Sequence, residues 1–422
     1  MLLRSGFLLN TVKKHIPPKV LLPILFVYIL FGAVSLYQGK EKIDERRHHI
    51  PVLKGMFEEG YINYIISDNY QAANTPLPYL PPLLISNLAS IEPNIYIARS
   101  INFFISLLTL LLFILILNSI AGITDVRILI FLFYPYFIKT SFIFYPAIYG
   151  VFFLLLSIYL LGGYLKLKVL GAGIAASAGI LSQQFILAFP VVYTMKFIFN
   201  KAKVINKNKL KSHILFYLPF IIPAALIWYW GGLTHKNFDF HKISFQLTNV
   251  TSVLTIIGGV TFFYFIDKLK SVNIKYYLVT LLLATVLVLF FSPVRMEYGG
   301  AGQITGYTFN FLEKVSFLSV FLSKSLQIFL CSTGLYLFYQ LHFEIKSNLQ
   351  SILFYITIIL ALIYFFNTVL SERHLLPLIA CILLLILPQI KSKWIIYIWV
   401  FFNIIFGTTF LAYALFIQHN LN

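Results

Sequence analysis

Long apolar runs alternate with short polar clusters along the whole of this 422-residue chain. "VLLPILFVYILFGAVSLY", "INFFISLLTLLLFILILNSI" and "YLVTLLLATVLVLFFSP" approach or exceed the roughly 18 residues that carry a helix across a bilayer. Such runs recur from end to end, and they predict an all-α, polytopic integral membrane protein. Lys and Arg gather at one set of run ends: Lys13, Lys14 and Lys19, "KLK" at 166–168, "KFIFNKAKVINKNKLK" from Lys196, "DKLK" at 267–270 and "KSK" at 391–393. Cytoplasmic loops carry clusters of this kind. Placing them all inside sets spans by alternation at about 18–38, 97–120, 126–141, 143–164, 167–182, 184–199, 212–231, 250–267, 275–292, 318–341, 350–370, 374–390 and 394–417. That is about thirteen, within a range of 11–14. The proline-rich "TPLPYLPPLLISNLASIEP" stays out of the count and reads as a helix lying in the outer interface, part of an amphipathic first external loop. The chain then divides into a catalytic transmembrane module over 1–231, with external loop 39–96, and a variable one over 232–422, with external loops 232–249 and 293–317.

Composition agrees with the pattern. The chain is 59% hydrophobic and only 11% charged, which excludes a soluble globular protein. Its net charge of +18 would point to nucleic acid in a soluble protein; here it follows from cytoplasmic loop bias, and no nucleic-acid partner is expected. Cys331 and Cys381 both lie inside apolar runs, so no disulfide framework follows. The first apolar run has no small-residue cleavage site after it and reads as an uncleaved span. Of 14 Asp and Glu, only Asp125, Asp267 and Glu344 fall inside. The acids played no part in drawing the map, so their excess outside points to a polar working surface on the non-cytoplasmic face.

That surface begins at "IDERRHHIP", just past the first span. Asp44 and Glu45 there stand at the membrane surface, where a carboxylate can take a proton from an attacking hydroxyl. The neighbouring bases can screen a phosphate. A solvated, charge-balanced loop is the equal alternative on this segment alone. "NTPLPYLPP" stiffens the chain that follows, because each proline fixes its own φ and restricts the residue before it. "THKNFDFH" offers His235, Lys236, Asp239 and His241 as a cationic outer loop, at a spacing that matches no standard metal pattern. Arg373 and His374 occupy a very short outer turn, where an Arg between apolar helices needs an anion or snorkels beside Glu372. Lys139, near the outer end of its span, reaches a phosphate or snorkels likewise. The glycine-rich "VRMEYGGAGQITGY" lacks the Lys and helix start of a P-loop.

In order, these elements resemble the GT-C superfamily, multispanning glycosyltransferases that use polyprenyl-phosphate sugars. The acidic pair after the first span, the amphipathic loop, the "TP-x-P-Y" element, the interfacial helix and Arg99 in "IARSINFF" carry the resemblance. Within it the chain is most similar to the dolichyl-phosphate-glucose alpha-1,2-glucosyltransferase family, which adds the last glucose of the N-glycan precursor. "DERRHHIP" is similar to that family's "DE-x-x-H-x-P", with the His one place off, so His48 and His49 both stand as equivalents. "NTPLPY" is similar to "TTPPGLY", and "SERHLLP" to "E-x-R-Y-x-x-P". "WGGLTHKNFDFHKISFQLTNV" resembles the "GG…GD-K-x-x-H" loop, and "LSQQFILAF" the "R-Q-T-N" segment, with Ser182 in place of Arg.

The resemblance implies transfer of a hexose, glucose in that family, from a polyprenyl-phosphate donor to a lipid-linked or other glycan acceptor, with inversion. It implies Asp44 as general base and Glu45 orienting the acceptor or sharing the proton. His48 or His49 would contact the sugar or the base. Arg99, Lys139, His235, Lys236, His241, Arg373 and His374 would bind substrate, mainly the leaving phosphate. Neither metal nor other cofactor is expected; membrane lipids are partners. The alternatives are a lipid-linked oligosaccharide flippase or other transporter, and an exported-polysaccharide polymerase or ligase. Transporters place ionisable groups deep inside spans, and these span interiors are almost free of charge. The Ile, Phe, Lys and Asn content favours a prokaryotic plasma membrane over the endoplasmic reticulum.

Overall fold

A computed structural model describes residues 26, 28–34, 45–70, 76–123, 125–162, 168–199, 207–233, 235, 245–292, 294–295, 303–305, 307–366 and 369–413. Its helices, in order, are α1 (Ile50–Glu59), α2 (Tyr61–Ile66), α3 (Leu80–Ala89), α4 (Ile95–Ala121), α5 (Ile128–Leu132), α6 (Pro135–Phe142), α7 (Ala147–Gly162), α8 (Lys168–Ile180) and α9 (Ala188–Phe199). There follow α10 (Lys207–Tyr217), α11 (Ile221–Trp230), α12 (Leu247–Lys268), α13 (Ile274–Phe290), α14 (Tyr307–Leu318), α15 (Val320–Glu344), α16 (Asn348–Phe365), α17 (Leu376–Ile386) and α18 (Lys393–Ala412).

Seven helical segments among the described residues are long and apolar enough to cross a membrane, or eight if α6 and α7 count as one bent span. Shorter apolar helices over Lys168–Ile180, Gln184–Ile198 and Ile274–Phe290 add to them. The chain is a multi-pass integral membrane protein, as its apolar runs predict. Prolines explain why some runs yield no full-length helix. Pro135 opens α6 directly after α5, so the run expected over 126–141 becomes helices of five and eight residues. α3 is only ten residues long and exposes Leu84, Ile85 and Leu88, which suits a helix lying in the interface.

α17 stands at the centre of the bundle, with every residue from Leu376 to Ile386 buried. It is apolar on all sides, as a helix enclosed by others must be. α4, α7, α12 and α16 pack around it. α6 packs on α18 and α9 on α16, so 1–231 and 232–422 share one apolar core. The tightest helix pair is α12 with α15, where small residues let backbones meet. A Cβ on Gly258 would lie 1.8 Å from the Leu330 carbonyl oxygen, and one on Gly334 would lie 2.1 Å from that of Leu254.

The polar segments sort to two ends. At one end a small parallel sheet joins β1 (Val294–Arg295), β2 (Gln303–Thr305) and β3 (Val369–Ser371) in that order. At the same end Trp230 Nε1 donates to the Ile65 carbonyl at 3.3 Å, and Gln246 N–H to the Phe365 carbonyl at 3.1 Å. The other end holds the acids assigned to the inner side. Glu344 pairs with Lys268 at 2.9 Å, Asp125 with Arg127 at 3.3 Å, and Asp267 accepts the main-chain N–H groups of Lys391 and Ser392.

Candidate functional site

A π-helical turn over Glu45–His49 leads directly into α1, where Pro51 occupies the first turn and its missing N–H costs the helix little. Glu45 is wholly buried. Arg99, in the first turns of α4, donates from Nε to Glu45 Oε1 at 3.0 Å and from Nη2 to Oε2 at 2.6 Å. The Phe144 main-chain N–H adds a 2.8 Å bond to Oε1. The planar guanidinium thus meets the carboxylate as a fork. This differs from the sequence expectation, in which Glu45 faced an acceptor and Arg99 a phosphate. The two charges are instead turned on each other, and they tie the first loop to α4 and to the bend between α6 and α7. Asp44, Lys236 and His241 lie outside the described residues.

His49 and His48 separate cleanly. His48 is exposed, while His49 is buried. Its Nδ1 lies 2.9 Å from Tyr79 Oη, the tyrosine of "NTPLPY". Burial pushes the Tyr79 phenol up, so it keeps its proton at any working pH. The His49 ring stands edge-on to Phe144 and Tyr145, at 5.5 and 6.0 Å between centroids.

Tyr145 is where the cations meet. It precedes Pro146 in the break between α6 and α7, whose axes differ by 111°. The Arg373 guanidinium carbon sits 4.8 Å from the Tyr145 ring centroid, and Lys139 Nζ sits 5.7 Å from it. Lys139 also lies 5.3 Å from the Phe410 ring. Both are cation–π distances. Arg373 is carried on a short helical turn, Glu372–Leu375, that is fastened on both sides. The Glu372 carboxylate accepts the Thr308 N–H at 3.0 Å and its hydroxyl at 2.9 Å. The His374 carbonyl accepts the Tyr364 hydroxyl and, at 3.2 Å, the Gln183 amide.

The short elements singled out along the sequence therefore meet. "DERRHH" reaches "IARS" through Glu45 and Arg99, and "NTPLPY" through His49 and Tyr79. "NTPLPY" reaches "LSQQ" through the Leu77 N–H and the Leu181 carbonyl, 3.1 Å apart. "LSQQ" reaches "SERH" through Gln183, and "GGLTH" through Gln184, which donates to the Leu233 carbonyl at 2.9 Å. His235 belongs to a different cluster, edge-on to Tyr70 at 5.5 Å and to Trp230 at 5.9 Å. Among the described residues no three His, Cys, Asp or Glu side chains gather around a point where a metal could sit.

Tyr145 is the residue that sequence reasoning missed, and Glu372 was read only as a neighbour of Arg373. Tyr145 had one local signal, its place before Pro146, which favours an extended break over a continuing helix.

No family model matches the chain, and no curated protein does. Among solved structures it is similar to the crystal structure of ArnT from Cupriavidus metallidurans in the apo state, at 11% identity, a TM-score of 0.41, and coverage of 94% of this chain and 78% of that one.

Proposed function

We propose that the chain is a membrane glycosyltransferase of the GT-C type, moving a hexose from a polyprenyl-phosphate donor to a hydroxyl of a lipid-linked or other glycan acceptor at the non-cytoplasmic face. The observation that carries this reading is the meeting of Lys139 and Arg373 on Tyr145, beside the turn that runs from Glu45 to His49. The leaving group in such a transfer is an anionic polyprenyl phosphate. Two cations held at one ring can take up its charge as its bond to the anomeric carbon breaks. Asp44 accepts the proton of the acceptor hydroxyl as that oxygen attacks the same carbon from the opposite side, so the configuration inverts. Glu45 and Arg99 act as a positioning pair, and His49, steered by Tyr79, contacts the sugar. His235, Lys236, His241 and His374 remain candidates for binding the donor headgroup or the acceptor.

The test is donor saturation by the protein in nanodiscs, with polyprenyl-phosphate glucose as the first donor. Arg373→Ala raises the donor KM about ten- to a hundredfold, the worth of a charge-assisted hydrogen bond of about 1.5–3 kcal/mol. Arg373→Lys recovers part of it, since an ammonium cannot bind bidentately. Unchanged saturation in both variants would reduce Arg373 to an interfacial anchor.

A further inference from the structure

We propose that Lys324, with Ser292 and Gln327, forms a binding site on the lipid-facing side of the bundle for the headgroup phosphate of an anionic phospholipid. The site lies where α13 ends and α15 begins, and Ser292 stands two residues before β1, at the end of the bundle that carries the sheet. It shares no residue with the cluster at Tyr145 and does not rest on the transferase reading.

The hydrogen bonds within the trio decide what it can take. Lys324 Nζ donates to Ser292 Oγ at 2.5 Å, and the Ser292 hydroxyl donates on to Gln327 Oε1 at 3.0 Å. The Ser292 and Gln327 oxygens each accept one of these bonds. An ammonium has three N–H bonds and a side-chain amide two, so the N–H groups left over outnumber the lone pairs left on the two oxygens. Among the described residues Lys324 has no carboxylate within 4.0 Å. A cluster with donors to spare and a positive charge takes an anion.

The surroundings say which anion. Leu289 and Phe290 on α13, Phe317 and Leu318 on α14 and Phe321 on α15 are all exposed, Phe317 by 84%. In a multi-pass membrane protein such side chains face acyl chains. An anion that reaches a lysine set in this wall, at a helix end, arrives on a lipid. A lysine that merely snorkels to water has no need of a serine and a glutamine to hold its head in place. Here the relay pins the ammonium beside α13, so that a phosphate can accept from Lys324 and from the Gln327 amide while its chains lie along Leu289 and Phe290.

Native mass spectrometry of the full chain, released from detergent with equimolar phosphatidylglycerol and phosphatidylcholine, tests the site. The protein retains phosphatidylglycerol over phosphatidylcholine about fivefold, the worth of one cation near a membrane surface. Lys324→Gln brings the ratio close to one, and Lys324→Arg preserves it. Ser292→Ala, which frees the ammonium without removing it, lowers the preference about twofold and stands in if Lys324→Gln does not fold. The site is overturned if a folded Lys324→Gln or Ser292→Ala protein keeps that preference. It is equally overturned if polyprenyl phosphate displaces phosphatidylglycerol at a small fraction of its concentration, because the site would then belong to the donor lipid.

Discussion

Glu45→Gln separates a structural carboxylate from a reacting one. The substitution keeps the side chain's size and still offers an oxygen to the Phe144 N–H, now 2.8 Å from Oε1. What it removes is the charge opposite Arg99, a residue only 2% exposed. Weakening these charge-assisted bonds costs about 1.5–3 kcal/mol, a sizeable part of the roughly 5–15 kcal/mol that holds a protein folded. Unfolding entropy of about 2 cal/mol/K per residue, taken over 422 residues, converts that loss to a fall in Tm of about 2–4 °C. Replacing both partners, as Glu45→Leu with Arg99→Met, removes both ends of the fork together and costs less than the sum of the two single losses. Arg99→Lys restores little, because a single ammonium cannot form both bonds of the fork. The assay is thermal unfolding in nanodiscs followed by tryptophan fluorescence, paired with sugar transfer measured well below Tm. The expected pattern is a lower Tm for Glu45→Gln, a double-variant loss smaller than the sum of the single losses, and transfer that follows stability. A Glu45→Gln protein with unchanged Tm and no transfer would refute this reasoning and return Glu45 to the reacting groups.

Two further outcomes concern the membrane frame. Asn63→Cys and Phe240→Cys should react with an impermeant maleimide in intact cells, and Ile205→Cys should not; labelling at 205 with protection at 63 would invert the topology and remove the site from the outer face. Gly258→Ala would press a methyl to 1.8 Å from the Leu330 carbonyl, so α12 and α15 must part, at a cost of about 1–3 kcal/mol or more read as lost Tm, with donor KM unchanged in the folded fraction.

Much of this architecture was legible in the sequence because hydropathy reports helices and their ends directly. The run expected over 97–120 is α4, from Ile95 to Ala121, and the one opening at 394 is α18, which starts at Lys393. What was not legible depends on partners distant in sequence. The strands of the small sheet have two or three residues each, too few to show an alternating pattern, and Gln303 pairs with Val369. Glu45 and Arg99 were both conspicuous as charges in an apolar chain. Their neutralisation of each other across 54 positions was not, and so both were read as facing substrate. Tyr145 had no chance of being singled out by type, since aromatic residues make up 18% of the chain. Only the bend at Pro146 and the return of the chain at Arg373 give that ring its place.

The most direct measurement is turnover by Asp44→Asn. The protein in nanodiscs is supplied with radiolabelled polyprenyl-phosphate glucose and a lipid extract as acceptor, and loss of label from the donor is followed with time. The substitution keeps the size of the side chain and removes its capacity to accept a proton. Turnover should fall by about 10²–10⁴, the usual loss for a general base, while donor binding and Tm stay as they were. Turnover within a fewfold of the unaltered protein, at equal folding, would contradict the assignment of this outer loop as the catalytic one.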